Sequence, residues 1–441
     1  MRDYFKKTEY VLERLWFDYL GSRYEGRGIM TWNPDEGFHV EAFLDRHGSA
    51  LPKEIPLGKV GIPRKSEICS IRMKPHGFDW AIAPNARLID RDDILWQNRL
   101  SINLNRVIFS KSEISNQNLD WHGTALYETK RQPILPNYVK SEVWLNNQKI
   151  EWSVDPLGIW YEDEQNQRIA GRLIDDRHLK LHWKLSKSLW SKTDSWQWSE
   201  AAQDALSIWF GETIWLLQRE VQRANQRYIE VKKRGNLDSV GLLSPFDSQS
   251  RLDENLFISL TEFLVRNERD PVRKGRDSTI CRNIFKQMLE ASRQQTWQAT
   301  ELLLSTILEA ALRSIDEQPF RIKKKKDSFD LGRSLTQFFE NYLSDKWIAF
   351  HTEVMKAHNN LRNRNAHPDW LFSQGGYLSE EEMEKSLDDM IFLSRFYGYM
   401  ILALAGFKEL EPRFPSSHKE WKPLMTIGYL EESELDNFLS K

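Results

Sequence analysis

The chain has few cysteines and no long apolar run. Cys69 and Cys281 are its two cysteines among 441 residues, and two distant cysteines favour neither a disulfide framework nor a zinc site. The N-terminus, MRDYFKKTEY, lacks the apolar segment of a signal peptide. No stretch approaches the ~18 apolar residues that a membrane helix requires. These absences predict a cytoplasmic protein with no membrane partner.

The chain also lacks an excess of either positive or negative charge. The 62 basic and 64 acidic side chains give a net charge of −2. The chain as a whole therefore has no basic signature for nucleic acid, and any such site must be a local patch. Apolar residues make up 40% and charged residues 29% of the chain, as in globular proteins. The length predicts two or three domains of ~100–200 residues each.

The first part of the chain, up to ~190, has the pattern of strands and turns. In RLIDDRHLKLHWKL, Leu179, Leu181 and Trp183 alternate with polar residues. GIMTWNPDEGFHVEAFLDR predicts a hairpin around its Asn-Pro-Asp-Glu-Gly turn. Short runs of this kind predict an antiparallel sandwich or barrel. The many Trp residues here indicate sheet packing or the wall of a ligand groove.

His178 and His182 share the polar face of one of these predicted strands. The pair could bind a metal, but a solvated strand face is the simpler interpretation because no Cys, Asp or third His lies nearby on that face. There is also no Gly-rich phosphate loop. The sequence therefore predicts no metal site and no cofactor.

From about Ser199 the apolar residues follow a helical period. SEAAQDALSIWFGETIWLLQREVQRANQRYIEVKK predicts one long amphipathic helix that includes Leu206, Phe210 and Leu217. Gly235 and LLSPFDSQSRLDE then break the pattern. The chain is thus predicted to be an α+β multidomain protein. Its β-rich N-terminal domain covers residues 1–240 and ends in that helix, and an all-α bundle covers 250–441.

The predicted bundle holds five or six helices. In TWQATELLLSTILEAALRSI, the residues Trp297, Leu304 and Leu308 form part of one apolar stripe. Glu309 lies off this stripe, where it either faces a site or is solvated. The last helix begins at Ser379, and Glu382 completes a capping box.

The stretch LRNRNAHPDW contains the strongest candidate site. At about 100° per residue, His351, His358 and Arg362 fall on nearly one line of a helix. Pro368 disfavours the helical conformation of the residue before it, so His367 is expected at the helix end, free to turn towards Arg362 or a partner subunit. A guanidinium binds phosphate and stays charged, and an imidazole exchanges a proton near neutral pH.

These two groups are sufficient for RNA cleavage without a metal. The 2′-OH loses its proton and attacks the adjacent phosphate, which leaves a cyclic phosphate and a 5′-OH. Asn363 and Asn365 could orient the histidine or the phosphate. The alternative is a helix C-terminus at which cations are favourable beside the helix dipole. For His351 and His358 the alternative is a packed or exposed helix residue.

Arg362-Asn363-Arg364-Asn365-Ala366-His367 matches the R-N-x-x-x-H signature of HEPN domains, which are helical bundles and in many cases ribonucleases. The ELLLSTILEAALRSI segment resembles the LEA-type helix of that family. The whole layout, a β-rich domain before a HEPN-like bundle, resembles the Apea-like antiphage (abortive infection) proteins. This resemblance implies that Arg362 holds the scissile phosphate, that His367 transfers protons and that Asn363 supports the site. It also implies a site built by two protomers.

The resemblance implies a metal-independent endoribonuclease of antiviral defence that cuts tRNA or mRNA. It further implies a homodimer or higher homo-oligomer and a phage-derived trigger sensed by the β-rich domain. Four consecutive lysines bind the RNA backbone or form a solvated loop, namely Lys323, Lys324, Lys325 and Lys326. His358, one turn before Arg362, is a candidate for the RNA-binding rim. The alternatives are a non-catalytic dimerisation or binding module with a ligand-sensing β-domain, and the toxin of a toxin–antitoxin pair.

Overall fold

A computed structural model of the chain describes residues 4–19, 22–45, 68–94, 97–112, 123–129, 140–145, 148–153, 158–162, 168–175, 177–184, 195–223, 226–235, 254–266, 276–294, 296–315, 329–343, 345–366 and 379–407. The chain forms two compact units. The first contains Met1–Glu128, Tyr161–Ser199 and Trp215–Asn236, and the second contains Thr129–Trp160, Glu200–Ile214 and Leu237–Lys441. A β-rich N-terminal region thus precedes a helical C-terminal region, and the predicted α+β class is confirmed.

Fifteen strands are described, and thirteen of them belong to one large antiparallel sheet. In chain order they are β1 (Thr8–Tyr19), β2 (Ser22–Asn33), β3 (Gly37–Leu44), β4 (Ile68–Pro75), β5 (Trp80–Ile94), β6 (Gln97–Leu104), β7 (Arg106–Ser112), β8 (Gly123–Glu128), β9 (Lys140–Leu145), β10 (Gln148–Ser153), β11 (Gly158–Glu162), β12 (Arg168–Leu173), β13 (His178–Lys184), β14 (Trp215–Arg223) and β15 (Gln226–Lys232). Strands β9 and β10 pair separately.

Six strands of the large sheet close on themselves. β1 pairs with β2 and β4, β2 with β3, β3 with β6, and the long β5 with both β4 and β6. Closure leaves no unpaired edge within this ring, and alternate residues point inwards. Met30, Val40 and Ile102 are fully buried there. The barrel alternative of the predicted architecture is therefore the one found.

The predicted hairpin of β2 and β3 is confirmed, with Asn33 opposite Gly37. Gly37 adopts a φ of 89°, a conformation that glycine reaches without a steric penalty. The Asn33 side chain accepts a hydrogen bond from the Asp35 backbone N–H at 3.2 Å. The Asn-Pro-Asp-Glu-Gly segment therefore carries the turn chemistry that the sequence indicated.

The remaining strands extend this sheet in the order β7, β15, β14, β8, β13, β12, β11. They contain a buried ionic cluster. Arg219 and Glu230 are both 0% exposed and form an ion pair between β14 and β15. Arg106 pairs with the same carboxylate, and the Arg219 guanidinium donates to the Ser199 hydroxyl at 2.8 Å. Two guanidinium groups thus neutralise one buried carboxylate.

The predicted long helix after Ser199 is wrong beyond Phe210. Helix α1 covers Ser195–Phe210, and β14 and β15 then form an antiparallel pair. Gly211 ends the helix with a φ of 63°. Its backbone N–H donates to Ile208, and that of Glu212 donates to Ser207, which is the Schellman pattern of a helix end. The apolar residues after Gly211 have a strand period that the helical interpretation overlooked.

Six α-helices follow in the part of the second unit that the structure describes. They are α2 (Glu254–Arg266), α3 (Arg276–Ser292), α4 (Trp297–Ile315), α5 (Leu331–Tyr342), α6 (His351–Ala366) and α7 (Glu380–Leu404), and a 3₁₀ helix, Asp345–Phe350, leads into α6. Their positions match the predicted helices. The capping box at Ser379 is confirmed, since its hydroxyl accepts from the Glu382 backbone and the Glu382 carboxylate accepts from the Ser379 backbone.

The core of the helical unit lies among α4, α6 and α7. Leu304 and Leu308 of α4 are fully buried, as are Leu361 of α6 and Leu393 of α7. The buried Tyr397 hydroxyl donates to the Leu304 backbone carbonyl at 2.6 Å. This hydrogen bond joins α7 to α4, while the buried side chains of all three helices form the core beside which the candidate site lies.

Candidate functional site

Arg362 lies in the last turns of α6 with its side chain 55% exposed. The helix is anchored because Val354, Ala357 and Leu361 bury their side chains in the core. Asn363 follows Arg362 and is also exposed. The helix thus presents an arginine and an amide to solvent at its C-terminal end.

Glu309 of α4 pairs with this arginine. Its Oε2 lies 3.0 Å from Arg362 Nη1, and its Oε1 lies 2.6 Å from Arg313 Nη2 on its own helix. Glu309 is 27% exposed and Arg313 is 47% exposed. One carboxylate is therefore shared by two arginines, which leaves one net positive charge on these three side chains. Glu309 therefore contacts Arg362 of the candidate site and does not lie on a purely solvated face.

The charge state of Glu309 follows from these contacts. Partial burial acts to raise the pKa of its carboxyl group. The hydrogen bond from Arg313 and the charges of Arg313 and Arg362 outweigh that effect and lower the pKa below its ordinary value. Glu309 is consequently ionised at neutral pH and holds Arg362 by charge as well as by hydrogen bonding.

His358 lies beneath this surface. Its side chain is only 1% exposed, which is the packed alternative and not the RNA-binding rim that the sequence also offered. Burial, followed by repulsion from the Arg362 guanidinium, lowers its pKa to about 4, and Glu309 and the Ser305 backbone offset this in part. The imidazole is therefore neutral at pH 7 and lies in the core beneath Arg362.

Polar side chains also join α7 to its neighbours. The Asn360 amide of α6 donates to Asp389 of α7 at 3.0 Å. One turn earlier on α7, the Trp297 indole donates to the Ser386 hydroxyl at 2.9 Å, and that hydroxyl hydrogen-bonds to Glu301. The sequence analysis did not single out these residues. The available signal was that Glu301 and Asp389 are carboxylates on the core-facing side of their helices, where both are buried.

His351 lies at the beginning of α6, three turns before Arg362. Its Nε2 is 2.9 Å from the Gly332 carbonyl, and its ring packs edge-on against Phe339. His351 thus connects α6 to α5, which is the packed role that was its alternative. His367 and the lysines at 323–326 lie outside the described residues.

The histidine pair of β13 is not a solvated face. His182 is buried, at 8% exposure. His178 Nδ1 lies 2.7 Å from Asp175, and its Nε2 lies 3.7 Å from the buried Glu128, which also binds Arg234. Within the described ranges, no group of three or more His, Cys, Asp or Glu side chains is arranged to hold a metal ion.

None of the described helices is long and apolar enough to cross a membrane. Comparison with known proteins gives no relative: no protein-family model matches the chain, and neither a curated protein nor a solved structure is similar to it. The function of the protein can therefore be inferred only from its own side chains and from the short Arg362–His367 signature.

Proposed function

We propose that this protein is a metal-independent endoribonuclease of the HEPN type that acts in antiviral defence. The observation that carries the proposal is the exposed Arg362 at the end of α6, held by Glu309 of the neighbouring helix and followed five residues later by His367. A guanidinium in this position can bind a phosphate in its fork. It is also next to Arg313, so the surface favours an anionic ligand.

In the proposed reaction, His367 takes the proton of the ribose 2′-OH or gives one to the leaving group. The 2′-oxygen attacks the adjacent phosphorus, and the bond from phosphorus to the 5′-oxygen breaks. The products are a 2′,3′-cyclic phosphate and a 5′-OH. Arg362 binds the phosphate and stabilises the charge that develops on its oxygens. Asn363 supports the phosphate or the histidine.

We propose that two protomers supply their arginine and histidine to one cleft. Exposed apolar side chains on α4 and α7 would suit a homodimer: Leu302, Met383 and Leu387 are 48%, 44% and 41% exposed. Leu302 lies seven residues before Glu309, about 10 Å along α4. In mixed oligomers, one Arg362→Ala protomer beside a wild-type protomer should lose most activity. A monomer in solution that still cuts RNA would exclude the shared cleft.

The substrate in this proposal is tRNA or mRNA in the cytoplasm, and the β-rich unit responds to a phage-derived trigger. The lysines at 323–326 follow α4 in sequence and would attract the RNA backbone. Their replacement by serine should lower RNA affinity and flatten its dependence on salt. If neither quantity changes, the lysines form a solvated segment.

The contact between Arg362 and Glu309 also favours a second candidate function. An ion pair between two helices gives Arg362 a structural role without any catalysis. The bundle would then be a dimerisation or binding module, and the β-rich unit would bind the ligand. This candidate differs from the first in predicting no cleavage under any condition.

The test is an RNA cleavage assay in EDTA with total tRNA and a long mRNA, run with and without phage lysate. Arg362→Ala should reduce the cleavage rate by at least 100-fold. Arg333→Ala is the matched control, because Arg333 is an exposed arginine of α5 that also pairs with a carboxylate, Asp330. Equal rates for wild type and Arg362→Ala would refute the proposal, and loss in both variants would show a nonspecific effect of charge.

A further inference from the structure

A cavity lies between the last turns of α4 and the helix α5. Its volume is about 110 Å³, several times the about 10–15 Å³ that one water molecule needs. Leu312 and Ile315 of α4 form its apolar side. The stacked pair Phe338 and Tyr342, whose ring centroids are 5.2 Å apart with planes inclined by 19°, adds aromatic surface from α5. The cavity can therefore receive one flat ring.

Polar groups on α5 line the same cavity. Gln337 and Asn341 are one helical turn apart and both contribute to its wall. Neither side-chain amide makes a hydrogen bond within the part of the chain that the structure describes. Ser334 is a turn before them, is only 4% exposed, and its hydroxyl oxygen lacks a hydrogen-bond partner among the described residues. Buried polar groups are ordinarily paired, so the unpaired Ser334 hydroxyl indicates a ligand, for which the half-buried Gln337 and the exposed Asn341 offer amide groups at the rim.

The chemistry of the wall selects among possible ligands. None of the described side chains that line the cavity is charged, so it offers no direct partner to a phosphate or a carboxylate. Aromatic rings stack on unpaired bases of single-stranded RNA. On the base edges that face the major groove of a duplex, guanine pairs mostly with arginine or lysine and cytosine with acidic residues, whereas adenine pairs with the carboxamide of asparagine or glutamine. A lining with two carboxamides and no charged side chain among the described residues therefore fits adenine better than guanine or cytosine.

The cavity is also close along the helix to the proposed phosphate site. Leu312 and Ile315 follow Glu309 by three and six residues, which is about 5–9 Å along α4. Arg313 lies between them in sequence, bound to Glu309 on one side and 4.6 Å from the Phe329 ring on the other. The spacing is on the scale of one nucleotide.

We propose that this cavity is a base-binding subsite that accepts an adenine of the RNA, with Gln337 and Asn341 reading its edge. The inference rests on the proposed nuclease function, since it assigns the base that lies beside the phosphate bound at Arg362. It predicts that cleavage occurs next to adenine in single-stranded segments.

The test measures binding of AMP to the full chain by calorimetry, beside GMP, CMP, UMP and ribose 5-phosphate. AMP should bind at least tenfold more tightly than each of the others. Gln337→Leu and Asn341→Leu keep the apolar volume and remove the amide, and each should weaken AMP binding about tenfold. Gln298→Leu, which changes a half-buried glutamine at the opposite end of α4, should not. Circular dichroism checks that each variant folds.

Two outcomes separate this inference from the nuclease itself. If the wild type cuts RNA but AMP binds no better than ribose 5-phosphate, the adenine subsite is refuted and the nuclease stands. If AMP binds selectively and the Gln337 and Asn341 variants lose it while no RNA is cut, the subsite is supported and the nuclease is not. Equal binding of all four nucleotides would also refute adenine recognition.

Discussion

Arg362 Nη1 lies 3.0 Å from Glu309 Oε2, although the two residues are 53 positions apart in the sequence. This contact joins the C-terminal parts of α4 and α6. It directs the guanidinium along the surface of the bundle, and it leaves the outer part of the group accessible to an anion. Arg362, the neutral buried His358 and the carboxylate of Glu309 thus lie close together.

The contribution of this ion pair to the free energy of unfolding should be small. Arg362 is more than half exposed, so solvent screens the interaction, and a double-mutant cycle should give a coupling of about 0.2–1 kcal/mol. The cycle would use Glu309→Gln, Arg362→Gln and the double variant, measured by urea unfolding at low and high salt. Coupling should shrink in high salt. A coupling above 2 kcal/mol would mean that the pair is a main structural contact and would weaken the case for a ligand-binding arginine.

His358 predicts a specific dependence of stability on pH. Its pKa is about 4 in the folded protein against 6.5 as the ordinary value, so the unfolded chain binds the proton more readily. The free energy of unfolding is therefore unaffected by the protonation of His358 above pH 6.5 and decreases as pH falls from 6.5 towards 4. At 1.36 kcal/mol per pKa unit, the full effect is about 3 kcal/mol.

The measurement compares wild type with His358→Leu by urea unfolding between pH 4 and 7.5. Wild type should lose more stability than the variant over this range. His351→Leu is the matched control in the same helix. Parallel curves for wild type and His358→Leu would show that His358 is already solvated in the folded state.

Gly211 should be intolerant of a side chain. Its φ of 63° ends helix α1 before β14, and Gly211→Ala should cost about 1 kcal/mol because alanine disfavours this conformation. Gly332→Ala is the control. It lies in the first turn of α5, its Cβ would be 3.7 Å from Asp330 Oδ1, and its effect should be neutral or stabilising. Equal stability of both variants would contradict the Schellman end.

The buried pair Arg219 and Glu230 should respond strongly to a change in one partner. Glu230→Gln leaves the fully buried Arg219 guanidinium without its carboxylate and should destabilise the protein by about 3–5 kcal/mol. Replacing both, as Arg219→Met with Glu230→Leu, should restore much of the loss, because no fully buried charge remains unpaired and the Arg106 side chain is 37% exposed to solvent. Thermal unfolding checks this. A double variant as unstable as Glu230→Gln would contradict the ionic explanation.

Local pattern predicted much of this fold. The helical period of α4, the Ser379 capping box and the turn before Gly37 each depend on a few neighbouring residues, and all three are found. The segment after Phe210 was wrongly predicted to be helical, because its apolar residues fit both a helical period and the alternation of a strand. Gly211 was the available signal, since a glycine after a periodic run commonly ends a helix.

The site was less accessible to sequence reasoning. Arg362 was found from its motif, but its contact with Glu309 depends on how α4 packs against α6. The burial of His358 has the same origin, because the direction of one helix face is set by its neighbours. The cavity between α4 and α5 has no local signature, since Gln337 and Asn341 are ordinary helix residues in sequence.

The chemistry of the RNA ends is the most direct test of the proposed metal-independent nuclease. Wild type and His367→Ala would be incubated in EDTA with RNA that the wild type cuts, and the new ends would be identified by their reaction with phosphatase and kinase. We expect 2′,3′-cyclic phosphate and 5′-OH ends with wild type, and a loss of cleavage of at least 100-fold with His367→Ala. Ends with a 5′-phosphate, or undiminished cleavage by the variant, would contradict the proposal.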